Sequence, residues 1–193
     1  PTKQIQMIVK EIMKGNYRSF LDLRIFTHYE TIAIYGMIIS KISSFSEMQQ
    51  YLEIYKEQME NWAHCDLLNF SHIKEYQNEF LTLSKEYRNS PLPFVRRLSL
   101  FILFLLIKEE AYVIEALQAL ESIKVEENYY VIMMGGWLLS ECFICYPKQT
   151  IEFIKTHEIL PAILNKGIQK CRESNRLTQT QKDDLLIYKK KRR

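Results

Sequence analysis

PFVRRLSLFILFLLI, residues 93–107, is the stretch on which the fold turns. Its last ten residues, LSLFILFLLI, are the longest strongly apolar run in the chain. A run of that length is too short to span a bilayer and reads as a helix buried on nearly all sides. Ser90, Pro91, Leu92 and Pro93 stand just before it; a residue that precedes proline is steered away from the helical region, so a helix begins there. Working outward, apolar residues at three- and four-residue spacing predict further helices over 5–13, 29–42, 47–59, 73–87, 111–123, 129–145, 150–156, 163–172 and 178–188. Gly15-Asn16 and Pro147 supply further breaks, and no stretch alternates apolar and polar residues well enough to be a strand.

Composition agrees with this pattern. The 193 residues are 47% apolar and 25% charged, with only 5 Gly, 5 Pro and 4 Cys. That balance excludes disordered, collagen-like and disulfide-scaffold classes and favours helix. A single domain over 1–193 is expected, closing in a basic tail at about 189–193. Residues 165–193 carry ten Lys or Arg against three Asp or Glu, a net of +7, while the rest of the chain carries −4. A basic C-terminal segment on a slightly acidic body suits a polyanion, nucleic acid before membrane, although a solvated tail has the same composition.

The helices repeat. Trp62, Arg97, Met133 and Lys166 are separated by 35, 36 and 33 residues, and four positions beyond each lie Asp66, Phe101, Trp137 and Lys170. Such intervals suit a right-handed α-α superhelical solenoid of about five HEAT-like or armadillo-like helix pairs. NWAHCDLLNF (61–70), VRRLSLFILF (95–104), IMMGGWLLSE (132–141) and LNKGIQKC (164–171) are then equivalent helices. Residues four apart share a helix face, so these eight residues form a ladder. A buried ladder would be uniformly apolar. This one holds both tryptophans of the chain, a carboxylate, a guanidinium and two amines, and is expected to face a concave groove.

The cysteines give no metal or redox signature. Cys142 and Cys145 form one C-x-x-C in LLSECFICYP, with no second pair or nearby histidine to complete a zinc site and no βαβ context for thioredoxin-like chemistry. They read as reduced cysteines on a cytosolic helix. No signal-peptide apolar core opens the chain, and a cytoplasmic location is expected. Pro1 follows either a removed initiator methionine or a longer original start.

W-x-x-x-D in NWAHCD, the arginine of PFVRRLSLF, the tryptophan of GGWLLSECFICYP and the stretch EILPAILNKGIQKC together resemble the HEAT-like-repeat DNA alkylation-repair family, the alkylpurine DNA glycosylases. The resemblance covers residues 29–170. It implies a monofunctional DNA N-glycosylase, a hydrolase that excises cationic N3- and N7-alkylated purines and grips duplex DNA in a concave face. By motif match, Asp66 would lie beside the deoxyribose, flanked by Trp62 and Trp137, and Arg97 would hold the backbone. Arg96 is a competitor for that last role, but Arg97 has the 35-residue spacing from Trp62. Lys166, Lys170 and Arg172 would add phosphate affinity. No cofactor or metal is implied. The partner would be double-stranded DNA, alkylated or branched DNA included, bound by a monomer with no membrane and no obligate protein partner.

Two features depart from the family pattern. Only about one helix precedes Gly15, whereas characterised members carry further helices there, one of which probes the lesion. Met133 stands where a polar or basic residue would suit DNA. The resemblance therefore also admits a paralogue with a reduced N-terminus, catalytically silent, that binds DNA through the same groove. Outside the family, Asp66 and Arg97 read as a structural ion pair, the tryptophans as packing residues, and the whole chain as a protein-interaction scaffold. His64 and Cys65 point away from the Trp62–Asp66 face and are read as structural.

Overall fold

The computed structural model describes residues 2–190; Lys191, Arg192 and Arg193 of the basic tail lie outside the described residues. The protein is all-α. The helices are α1 (Thr2–Lys14), α2 (Tyr17–Asp22), α3 (Tyr29–Ile39), α4 (Phe45–Tyr55), α5 (Trp62–Asp66), α6 (Gln77–Tyr87) and α7 (Pro93–Leu106). They continue with α8 (Val113–Ser122), α9 (Tyr129–Cys145), α10 (Pro147–Thr156), α11 (Pro161–Glu173) and α12 (Gln179–Asp184). Single 3-10 turns follow α4, precede α8 and follow α12. The chain divides into two compact units, one ending at Leu98 and the other beginning at Ser99.

The first unit is organised by α3. Eight consecutive residues, Ile32 to Ile39, are buried, as a helix that is apolar on every side requires. It packs against α1, α4 and α5. Leu21, Leu52, Tyr55, Leu68 and Leu83 complete the core. In the second unit α9 has that place, packed on α8, α10 and α11. Its contact with α11 is close because glycines line it: a Cβ on Gly135 would stand 3.1 Å from the Ile163 side chain, and one on Gly167 would stand 3.0 Å from Leu139. Pro147 and Pro161 open α10 and α11, where the missing N–H has no intrahelical partner to lose.

The structure departs from the expected helices in several places. α2, capped by Asn16, was not foreseen. The helix expected from residue 73 begins only at Gln77, because residues 71–76 are turns and the Ser71 N–H bonds the Ser40 carbonyl at 2.8 Å. The last expected helix stops at Asp184 and tightens into a 3-10 turn over Leu185–Tyr188. A further departure bears on the site: α5 has five residues, against 14, 17 and 13 for α7, α9 and α11, which were expected to be its equivalents.

Candidate functional site

Trp62 and Asp66 are the first and last residues of α5. A helix this short is not self-sustaining, and its geometry is imposed from outside. Asn61 caps it, its side-chain oxygen accepting from the Ala63 and His64 N–H groups at 2.9 and 3.2 Å. His64 points inward and is fully buried, with its ring stacked on Tyr29 at 4.8 Å. Its Nδ1 accepts from the Glu60 N–H at 3.3 Å. Burial lowers the His64 pKa and, with the Asp66 carboxylate adding to the effect, pushes the Cys65 thiol well up. Both residues are therefore neutral parts of the core beneath α5.

Asp66 and Arg97 are joined directly. Arg97 Nε donates to Oδ1 at 3.0 Å, and Nη2 donates to Oδ1 at 2.9 Å and to Oδ2 at 2.7 Å. The Arg97 side chain is 5% exposed and that of Asp66 16%. The fork geometry matches the carboxylate plane and makes these strong charge-assisted bonds. Arg96, the competitor, is committed elsewhere: its Nη1 donates to the Ser90 and Pro91 carbonyls at 2.8 and 3.1 Å, tying down the loop before α7. Trp62 is 51% exposed, so the first unit presents an indole face beside a carboxylate that is still reachable.

The residues expected to form a ladder differ in exposure. Phe101, expected on a groove face, is 5% exposed, and Arg97 is buried as well. The reason is the apolar run itself, since all of residues 98–107 except Phe104 are buried. In the second unit Trp137 is 39% exposed and rests on Phe104, ring centroids 4.7 Å apart. Tyr130, Met133, Trp137, Glu141 and Cys145 fall at three- and four-residue spacing and form the more exposed stripe of α9. On α11 the Lys166 stem lies over Gly136, where a Cβ would come within 2.7 Å of the lysine Cβ. Lys166 Nζ donates to Gln169 at 2.9 Å, Lys170 pairs with Glu173 at 3.2 Å, and Arg172 is exposed.

Sequence reasoning missed Arg176, which grips both oxygens of Glu141 at 2.9 Å and donates to Cys145 Sγ at 3.1 Å. Only contact in space reveals that pair, 35 residues apart. The C-x-x-C pair is split, Cys142 buried and Cys145 exposed. Burial raises both thiols, aided at Cys145 by a bond to Glu141. Among the described residues no three His, Cys, Asp or Glu side chains are grouped to hold a metal ion. No helix there is long and apolar enough to cross a membrane.

A family model described as DNA alkylation repair enzyme matches residues 3–170. The chain belongs to that family. No curated protein and no solved structure matches it. Trp62, Asp66, Arg97, Trp137, Lys166 and Lys170 all fall inside the span shared with the DNA alkylation repair enzymes, while Arg172, Arg176 and the basic tail lie beyond it. Membership supports a role in DNA repair.

Proposed function

We propose that the protein is a monofunctional DNA N-glycosylase that releases cationic N3- and N7-alkylated purines. The observation that carries this reading is the Asp66 carboxylate, oriented by three hydrogen bonds from Arg97 next to the exposed Trp62, in a chain of the DNA alkylation repair enzyme family. In the reaction the bond from C1′ to the purine nitrogen breaks. Its electron pair neutralises the purinium ring, which leaves without needing a general acid. Positive charge develops on the deoxyribose, water adds to C1′, and the proton lost from that water passes to solvent. A fixed carboxylate stabilises the developing charge and orients the water. The Trp62 indole offers a face to the same cation.

On this reading Trp137 is the second tryptophan of the motif and packs on the DNA, while Lys166, Lys170 and Arg172 bind phosphates without reading sequence. Burial of Arg97 favours a role in aiming Asp66 over one in gripping a phosphate. The 33- to 36-residue register supports HEAT-like helix pairs. The enzyme would work as a cytoplasmic monomer.

A second reading, a catalytically silent relative that binds DNA through the same residues, is favoured by one observation. Arg97 compensates the Asp66 charge and takes three of its acceptor positions. The deciding experiment is release of 7-methylguanine from methylated duplex DNA by the purified whole chain. Release supports the glycosylase; DNA binding without release supports the silent relative.

A further inference from the structure

Tyr55, the last residue of α4, is fully buried. Its hydroxyl donates to the backbone carbonyl of His64 at 2.9 Å. The ring passes α3 at Gly36, where a Cβ would stand 2.5 Å from the tyrosine oxygen and 2.7 Å from Cζ. Any other residue at 36 would block that approach. Tyr35 stacks on the same ring, centroids 5.9 Å apart and planes within 2°, so the phenol has one direction open to it. Burial pushes its pKa well up, and the hydroxyl remains a donor. The Leu67 and Leu68 N–H groups serve the Ala63 and Cys65 carbonyls of α5, the tyrosine serves the His64 carbonyl between them, and two residues after His64 comes Asp66.

We propose that Tyr55, given room by Gly36, is a positioning residue for Asp66: its hydroxyl fixes the α5 backbone from which the carboxylate reaches Arg97. The inference rests on the reading of Asp66 as the group that faces the sugar. Asn61 and Tyr55 both hold the α5 backbone, Asn61 by accepting from the Ala63 and His64 N–H groups and Tyr55 by donating to the His64 carbonyl.

The test is Tyr55→Phe in the whole chain, which keeps the ring and removes the bond. Amide exchange at Leu67 and Leu68, whose N–H groups close α5 on Ala63 and Cys65, should accelerate about tenfold beyond any change at α3 and α4 amides, the mark of local opening. The single-turnover rate of 7-methylguanine release should fall roughly 10- to 100-fold, as for a misplaced reacting group, with affinity for undamaged duplex unchanged. Gly36→Ala, which displaces the hydroxyl by another route, should give the same local signature and stands in if Tyr55→Phe does not fold. Equal acceleration throughout α3, α4 and α5, or none at α5, overturns the proposal; so does a loosened α5 with an unchanged rate. If wild-type protein releases no base, the glycosylase reading falls. The exchange arm then still decides whether Tyr55 holds α5.

Discussion

Asp66 sits on a helix of five residues and Trp137 on one of seventeen, and the two are held in different ways. Trp137 rides on local order: α9 is capped by Asn128 and packed along its length, and the indole lies where the helical period puts it. Asp66 depends on residues outside its own helix, Arg97 on its carboxylate and Tyr55 on its backbone. The first unit should therefore be sensitive to substitutions remote from its carboxylate. The second should respond mainly at the α9–α11 seam and at its exposed cations.

The largest effect on stability is expected at Arg97. Arg97→Ala strands a mostly buried carboxylate, which should cost about 3–5 kcal/mol in chemical denaturation. Arg97→Lys should recover part of that, since it restores the charge but not the fork. A loss near zero would mean that Asp66 is solvated without its partner. In the second unit, Gly136→Ala drives a methyl into the Lys166 stem and to 3.1 Å from its backbone carbonyl carbon. Overpacking of that kind costs about 1–3 kcal/mol, and DNA affinity should drop with it because Lys166 is displaced. Wild-type stability and affinity would show that the seam gives way.

The two units also differ in how much of each was legible beforehand. The bounds of α9 match the apolar spacing of residues 129–145, and so does the burial of 98–107, because long periodic segments declare their buried faces. α5 could not be read as it stands: the NWAHCDLLNF pattern fits a full helix, while Asn61 and the turns through Leu67–Phe70 confine it to one turn. The ion pair of Asp66 and Arg97 was visible as an alternative from residue type. Its three-bond geometry was not, and neither was the Tyr55 tether, since nothing local marks a contact between a tyrosine hydroxyl and a carbonyl nine residues away.

Smaller effects separate the units further. Lys166→Glu with Lys170→Glu should weaken duplex binding and flatten its salt dependence by a slope of roughly 2, one counterion per lost phosphate contact. Stability should barely move, because the bonds of these lysines lie at the surface. An unchanged salt slope would place the phosphate contacts elsewhere. His64 gives the first unit an acid weakness. Its folded pKa lies below the ordinary 6.5 because the ring is buried, so the unfolded chain binds the proton first as pH falls. Its contribution to stability is complete above 6.5 and is lost as pH drops below that value. His64→Gln should reduce that loss in thermal melts between pH 7 and 5, whereas an unchanged profile would assign the acid sensitivity to other groups.

The most direct measurement compares Asp66→Asn with wild type in two quantities on the same methylated duplex, the single-turnover rate of 7-methylguanine release and the dissociation constant. Asparagine keeps the shape but removes the charge, which pairs with buried Arg97 as well as facing the sugar cation. On variant protein shown by thermal melt to be folded at the assay temperature, the rate should fall by about 10² or more while binding holds. Release at the wild-type rate by Asp66→Asn, or a loss of binding as large as the loss of rate, would contradict a catalytic carboxylate at Asp66.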